Sequence, residues 1–146
     1  MKIKFILNNK TIETDIKPGQ TLLEYLRENE IYSVKYGCDN GECGACTVLV
    51  NGKAQNSCLI LMHTINNCKI ETVESFSDHE SLHPLQKSFL DEGAVQCGYC
   101  SPGMILSAEA LLRNNVNPNE DEIKDALAGN LCRCTGYVKP IKAVQK

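Results

Sequence analysis

The first half of the chain alternates apolar and polar residues over short stretches, which is the pattern of half-buried β-strands. The alternation occurs in residues 3–7, 11–16, 47–50, 53–56 and 68–73. Asn51-Gly52, between the third and fourth stretches, is typical of a tight hairpin turn. Between the two hairpins, Thr21 followed by Glu24 is a capping-box pattern that predicts a short helix. We therefore expect one helix lying on a small sheet.

In the second half the apolar residues recur every three or four positions, which predicts helices. Four helices are expected, and the residues that would start or end them are Gly93, Ser101, Asn119 and Pro140. In the second helix, Ser101 is predicted to be the N-cap and Pro102 the first helical residue. The buried face of the first helix is predicted to comprise Leu82, Leu85, Phe89 and Leu90.

This change of pattern predicts two domains, residues 1–74 and 82–146, joined by a polar linker at residues 75–81. Below about 70–80 residues a hydrophobic core seldom suffices, and disulfides or metal centres commonly supply the remaining stability. The chain has nine cysteines among its 146 residues. The apolar stretch at the N-terminus is too short for a signal peptide or a membrane span, so we expect a reduced, cytoplasmic protein whose cysteines bind metal.

The charge pattern narrows the range of partners. The formal net charge is −3, and the charged residues are scattered without a basic run. A nucleic-acid-binding domain would present clustered lysines and arginines, so we expect no nucleic-acid partner. We likewise expect no attachment to a membrane.

Four cysteines in the first half form the clearest candidate metal site. Cys38, Cys43 and Cys46 have the C-x4-C-x2-C spacing of plant-type [2Fe–2S] centres, and Cys58 on the next hairpin is the candidate fourth ligand. Three glycines in this loop permit unusual backbone angles and let N–H groups approach the sulfurs. A structural zinc site is the alternative, but its usual spacing is a pair of C-x2–4-C knuckles. The spacing favours iron–sulfur.

The second candidate set consists of Cys97, Cys100, Cys132 and Cys134, and its spacing is less specific. A C-x2-C pair is compatible with zinc, with a thioredoxin-like redox motif or with a cluster. The redox motif would follow a strand, whereas predicted helices surround this pair. Both pairs lie at predicted helix ends, where amide groups could stabilise thiolate charge, and this favours a second cluster.

Five further residues of ligating or charged type fall outside the two sets. Cys68 is predicted to be a small buried apolar residue of a strand. His63, His79 and His83 are predicted to be surface or capping residues, because neither set lacks a ligand. Arg133 lies between two candidate ligands, where it would either raise the reduction potential of a cluster or form a salt bridge that holds the loop.

Three motifs carry a resemblance to a known family. In chain order they read GCDNGECGACTV (37–48), QCGYCSPGM (96–104) and GNLCRCTGY (129–137). The sequence closely resembles the small iron–sulfur subunit of the xanthine dehydrogenase family of molybdenum hydroxylases, and the match covers nearly the whole chain. The resemblance implies an α+β chain, with an N-terminal β-grasp, plant-type ferredoxin-like domain and a C-terminal four-helix [2Fe–2S]-binding domain. It also implies that both cysteine sets hold [2Fe–2S] clusters.

The resemblance further implies an electron relay between partner subunits. Electrons would leave a molybdopterin-type molybdenum cofactor on a large subunit, pass through the helical-domain cluster and then the plant-type cluster, and reach FAD on a medium subunit. In the family, residues matching Gln96 and Cys134 lie beside the pterin, so these two are the candidate cofactor contacts across the interface. No residue of this chain is expected to be catalytic.

We therefore expect a subunit of a heterotrimeric hydroxylase of the xanthine or purine dehydrogenase kind, and the resemblance allows two heterotrimers to pair. The alternatives within the family are the small subunits of nicotinate, aldehyde, carbon monoxide and 4-hydroxybenzoyl-CoA enzymes. A free-standing ferredoxin that carries electrons between enzymes is the alternative from another class. The substrate itself would bind elsewhere, because the hydroxylation chemistry belongs to the molybdenum subunit.

Overall fold

The computed structural model describes residues 1–78 and 80–146, and its first part is a five-stranded mixed sheet with an α-helix on one face. The strands are β1 (Lys2–Leu7), β2 (Lys10–Asp15), β3 (Thr47–Val50), β4 (Lys53–Asn56) and β5 (Lys69–Glu71). Their order across the sheet is β2-β1-β5-β3-β4. β5 runs parallel to β1, and the other neighbouring strands are antiparallel. The prediction for His79 lies outside the described residues.

Helix α1 (Leu22–Glu28) begins where the capping box predicted it. The Glu24 N–H donates to Thr21 Oγ1 over 3.2 Å, and the Thr21 N–H donates to the Glu24 carboxylate over 2.8 Å. The apolar face of α1 covers the sheet, and the rings of Phe5 and Tyr25 meet edge to face with centroids 5.8 Å apart. The expected helix on a small sheet is therefore confirmed.

Four α-helices follow, as predicted: α2 (Pro84–Asp91), α3 (Ser101–Asn114), α4 (Glu120–Leu127) and α5 (Val138–Gln145). They enclose a second core, whose centre contains Phe89, Met104, Ile123 and Val144. Val73 and Phe76, which precede α2, also pack against this core. Over residues 1–78 and 80–146, no helix has both the length and the apolar character needed to cross a membrane.

Two predicted helix starts are wrong. Cys100, and not Ser101, is the N-cap of α3, and the buried Ser101 Oγ has no hydrogen-bond partner in the described part of the chain. α5 begins at Val138, two residues before Pro140. The reason is the same in both helices. The first four N–H groups of a helix have no intrahelical acceptor, so Pro102 and Pro140 can occupy the first turn without marking its first residue.

The predicted buried face of α2 is only half correct. Leu85 and Phe89 are buried, whereas Leu82 and Leu90 are 53% and 57% exposed. Leu82 precedes the helix, and Leu90 follows Phe89 by one residue, which turns it about 100° away from the core. The capping role predicted for His83 is confirmed, because its Nδ1 accepts the N–H of Leu85 over 3.2 Å.

A buried asparagine connects the two cores. Asn130 is 3% exposed, and its Nδ2 donates to the carbonyl of Gly44 and to Thr47 Oγ1, both over 3.3 Å. Its Oδ1 accepts the hydroxyl of Ser107 on α3 over 2.7 Å. The amide therefore donates across the boundary to the sheet part and accepts within the helical part, so both of its polar ends are paired, as in most buried polar groups.

Candidate metal centres

The first cysteine set is carried by the loop between α1 and β3 and by the 3-10 turn Ser57–Leu59 after β4. Backbone N–H groups of the loop point at its sulfurs. Those of Glu42 and Cys43 each donate to Cys38 Sγ over 3.2 Å, and that of Ala45 donates to Cys43 Sγ over 3.4 Å. Hydrogen bonds of this kind stabilise thiolate charge and help to set the potential of iron–sulfur centres.

The thiols of this set have different acidities. The N–H of Asn40 is the main cause that lowers the pKa of Cys38 to about 7. Burial, together with the neighbouring Cys46 thiol, raises the pKa of Cys58 to about 12. Because a metal binds the thiolate, loading the site must release the protons that these thiols carry.

Close packing explains two of the glycines in this loop. A Cβ on Gly37 would lie 2.4 Å from Cys43 Sγ, so a side chain there would displace a candidate ligand. Gly44 has φ of +73°, and a Cβ on it would lie 2.3 Å from the carbonyl oxygen of Gly129. Glycine at position 37 leaves room for the sulfur of Cys43, and glycine at position 44 lets the loop touch the helical part. This local geometry fits a loop wrapped around a cluster.

The second set lies where the loop between α2 and α3 meets the loop between α4 and α5. Cys97 Sγ and Cys134 Sγ are 3.7 Å apart. Cys132 Sγ accepts hydrogen bonds from Thr135, over 3.4 Å from its N–H and 3.1 Å from its hydroxyl. Burial, together with the neighbouring Cys132 thiol, raises the pKa of Cys100 to about 12. The two loops therefore meet, but of the four cysteines only Cys100 lies at a helix end, as the N-cap of α3.

Within each set the thiols are arranged in pairs. In the described residues, no three His, Cys, Asp or Glu side chains converge closely enough to hold one metal ion. Neighbouring thiols instead form the pairs Cys38/Cys43, Cys46/Cys58, Cys97/Cys134 and Cys100/Cys132. In a [2Fe–2S] centre with four cysteines, each iron takes two of the thiolates. Two pairs in each set match that requirement.

The second set opens to the surface, whereas part of the first is buried. Cys97 and Cys134 are exposed, and all four cysteines of the set line a cavity of about 480 Å³. Gln96, also exposed, donates its Nε2 to the carbonyl of Cys134 over 3.0 Å. The structure therefore brings together the two residues that the family resemblance marked as pterin contacts, at the open side of this set.

Sequence reasoning missed two residues that hold the loops in place. The hydroxyl of Tyr137 accepts the N–H of Cys132 over 2.9 Å. The N–H of Leu131 donates to the carbonyl of Cys43 over 2.9 Å, so the two cysteine loops are directly hydrogen-bonded. Tyr137 lies within the third motif, which was a usable signal, whereas nothing in the local sequence indicated the partner of Leu131.

The remaining candidates stand apart from both sets. Cys68 is partly buried against the first core, in agreement with an apolar packing role, although it lies just before β5. His63 is exposed, as predicted for a surface residue. Arg133 is exposed and, over residues 1–78 and 80–146, forms no ion pair with a carboxylate. The salt bridge predicted as one of its two roles is therefore absent from this part of the chain.

Two family profiles match the chain. Residues 5–64 match a 2Fe-2S iron-sulfur cluster binding domain, and residues 72–145 match a [2Fe-2S] binding domain. The chain thus contains two iron–sulfur domains, in the order expected.

Curated and solved relatives agree with the profiles. The chain is 46% identical to the nicotinate dehydrogenase small FeS subunit of Eubacterium barkeri over 144 residues, covering 98% of this chain and 92% of the relative. It is 38% identical to the aldehyde oxidoreductase iron-sulfur-binding subunit PaoA of Escherichia coli O157:H7, covering 99% of this chain and 70% of the relative. A chain of quinoline 2-oxidoreductase from Pseudomonas putida 86 superposes with a TM-score of 0.96 at 41% identity, covering 100% of this chain and 91% of that one.

One family assignment follows from the two paired cysteine sets, the two matched domains and these relatives. The relatives are parts of oxidoreductases, and they match almost the whole of this chain. The protein belongs to the small [2Fe–2S] iron–sulfur subunits of the xanthine dehydrogenase family of molybdenum hydroxylases.

Proposed function

We propose that this chain relays electrons from a molybdopterin-type molybdenum cofactor on a large subunit to FAD on a medium subunit. The observation that carries the proposal is the pair of four-thiol sets, one open to the surface, joined by the hydrogen bond from Leu131 to Cys43. A relay needs two redox centres held at a fixed separation between its partners. The direct contact between the loops supplies that rigidity.

The proposed ligands are the eight paired cysteines. One cluster would be held by Cys38, Cys43, Cys46 and Cys58, and the other by Cys97, Cys100, Cys132 and Cys134. Three features make these residues suitable for [2Fe–2S] clusters: the thiols lie in pairs, backbone N–H groups point at Cys38, and the second set lines an open cavity. Each cluster would supply one-electron transfer, and this chain's own residues would hold it and set its surroundings.

The second set would face the molybdenum cofactor. Gln96 and Cys134 are hydrogen-bonded to each other and exposed, so they are placed to meet a ligand that a partner presents. We propose them as the contacts with the pterin. The domain division at residues 75–81, the cytoplasmic location and the pairing of two heterotrimers stay predictions.

For the substrate we propose a nitrogen heterocycle of the nicotinate type, with an aldehyde as the second candidate. The expectation of a xanthine or purine enzyme receives less support, since the relatives named above carry the names nicotinate dehydrogenase, aldehyde oxidoreductase and quinoline oxidoreductase. The co-purified complex should therefore be reduced faster by nicotinate than by xanthine. Reduction by xanthine alone would overturn this part of the proposal.

The relay is tested in the complex purified together with its partner subunits. The unmodified chain should hold about four iron atoms and show two distinct paramagnetic signals when reduced. Cys100→Ser should remove one signal. The other cluster should then no longer be reduced by substrate, because its source of electrons is interrupted, although a chemical reductant still reduces it.

Three results would contradict parts of this proposal. If Cys43→Ser and Cys100→Ser removed the same signal, the division of the cysteines into two sets would be wrong. If substrate still reduced the remaining cluster of the Cys100→Ser variant at the normal rate, the order of the relay would be wrong. Cys68→Ser is the matched control, and both signals should persist in it. A chain that purifies alone while retaining full electron transfer would favour the free-standing ferredoxin.

A further inference from the structure

One lysine of the N-terminal part reaches the loop that carries Cys97 and Cys100. Lys35 lies between α1 and the first cysteine loop, and its N–H donates to the carbonyl of Ala45 over 3.1 Å. Its side chain crosses to the helical part, where Nζ donates to the carbonyl of Tyr99 over 3.5 Å. Tyr99 stands between Cys97 and Cys100. The ammonium group is therefore held beside candidate ligands of the other domain.

The aromatic ring of Tyr99 also holds the ammonium in place. Lys35 Nζ lies 5.3 Å from the centroid of that ring, within the range of a cation–π interaction. The hydroxyl of Tyr99 donates to the carbonyl of Tyr36, so the ring is tied back to the segment that carries the lysine. Two contacts on the lysine and one on the ring thus fix the position of the charge.

Arg27 supports the segment from the other side. Its guanidinium donates to the carbonyl of Val34, the residue before Lys35, over 2.9 Å. It also lies 5.3 Å and 5.7 Å from the ring centroids of Tyr32 and Tyr36. The lysine is therefore part of an ordered segment and not a free surface side chain.

The electrostatic surroundings of the lysine agree with this placement. Burial lowers its pKa and the Arg27 guanidinium acts in the same direction, while negative charge on Cys100, Glu74 and Cys97 acts in the opposite direction. The two cysteines are thus close enough for their charge to act on the ammonium. By the same interaction, the ammonium acts on whatever charge the cysteines hold.

A cluster bound by four thiolates is an anion, and its one-electron reduction adds a further negative charge. A fixed cation nearby stabilises the reduced form more than the oxidised form, and so raises the reduction potential. Lys35 is partly buried, and a partly buried charge is screened by salt less than a fully solvated one.

We propose that Lys35, although it belongs to the ferredoxin-like domain, raises the reduction potential of the cluster on Cys97, Cys100, Cys132 and Cys134. The inference rests on the proposed function, because it requires a cluster at that set. Lys35 is then a residue that sets the driving force of the first step of the relay, and it makes that step depend on the contact between the two domains.

The test is a potentiometric titration of the complex, followed through the two paramagnetic signals. At the midpoint potential of the unmodified helical-domain cluster, Lys35→Met should lower the ratio of reduced to oxidised cluster about tenfold. For a one-electron couple that is a shift of about 59 mV to lower potential. Lys35→Arg keeps the charge and should stay within about twofold of the unmodified ratio.

Two further variants separate charge from contact. Lys35→Gln keeps an N–H donor for the Tyr99 carbonyl but loses the charge, so it should shift the potential as Lys35→Met does. Lys10→Met removes the same charge from the exposed start of β2 and should leave the potential unchanged. A shift for Lys35→Met no larger than that for Lys10→Met would overturn the proposal.

The remaining outcomes are also decisive. Equal shifts of both clusters would mean that the charge acts on the whole chain and not on the second set. Loss of iron from the second set in both neutral variants would mean that Lys35 holds the site together and does not tune it. By contrast, a single paramagnetic signal in the unmodified protein would contradict the proposed function itself.

Discussion

At the scale of single residues, hydrogen bonding and burial give chemically identical thiols different properties. Cys38 receives three backbone N–H groups, whereas Cys58 is buried, and their pKa values lie near 7 and 12 respectively. Cys68, which belongs to neither cysteine set, packs partly against the first core. The sequence spacing identifies ligand candidates, but only the surroundings show how each one differs.

Ser101 gives a prediction at the same scale. Its hydroxyl is buried and unpaired in the described part of the chain, so Ser101→Ala removes a desolvated polar atom without breaking a hydrogen bond. We expect the free energy of unfolding to stay within about 0.5 kcal/mol or to rise. Denaturant unfolding of the loaded chain measures it. A loss of more than about 1 kcal/mol would show that the hydroxyl has a partner, such as a bound cluster.

At the scale of elements, an ion pair joins the end of α3 to the end of β5. The guanidinium of Arg113 donates to both carboxylate oxygens of Glu71, over 2.9 Å and 3.0 Å, and the Glu71 side chain is only 8% exposed. A bidentate pair of this kind is stronger than an exposed one. It adds to the contact that Asn130 makes at the other end of the boundary.

The Glu71 pair predicts a pH-dependent contribution to stability. The Arg113 hydrogen bond holds the pKa of Glu71 below its usual value of 4.5. A lowered carboxyl pKa contributes stability that is fully present above the unfolded pKa and is lost as the pH falls through the folded one. Glu71→Gln should therefore cost about 2 kcal/mol at pH 7, and this difference should shrink as the pH falls below about 4.5.

The measurement is denaturant unfolding of both proteins across pH, taken as a difference so that other titrating groups cancel. Glu120→Gln is a suitable control, because Glu120 is an exposed carboxylate paired with Lys124 on the surface of α4. It should change stability little at any pH. A Glu71→Gln penalty that stayed constant between pH 7 and pH 3 would contradict the ion-pair explanation.

At the scale of the whole molecule, the two iron–sulfur domains are in contact through their cysteine loops. Gly44 adjoins Cys43 and approaches Gly129 so closely that a Cβ would lie 2.3 Å from its carbonyl. The hydrogen bond from Leu131 to Cys43 lies beside this approach. The separation between the two proposed clusters therefore depends on a few backbone contacts.

Gly44→Ala tests this dependence, and Gly52→Ala is its matched control. Both glycines have positive φ, +73° and +82°, but a Cβ on Gly52 would meet nothing within 4 Å. Both variants should suffer backbone strain, and only Gly44→Ala should also force the loops apart. We expect it to cost about 2 kcal/mol more than Gly52→Ala in denaturant unfolding. Equal costs would show that the close approach contributes nothing beyond the strain.

The local sequence was enough to predict the elements and the ligand candidates. Alternation and helical spacing predicted five strands and five helices, and the capping patterns predicted the caps at Thr21 and Asn119. The cysteine spacings indicated the two candidate ligand sets. These predictions succeed because each feature depends on neighbours within a few residues along the chain. The helix starts near Ser101 and Pro140 were displaced by one or two residues, since proline is tolerated anywhere in a first turn.

Only the tertiary structure decided how the two halves meet. Three contacts join residues 37 to 64 positions apart: the pairing of Cys97 with Cys134, the contact of Gln96 with Cys134, and the placement of Lys35 beside Tyr99. No local pattern predicts such contacts, because they depend on how the sheet and the helices pack against each other. The sequence by itself determined which residues could bind clusters, and the packing determined which charges and loops surround them.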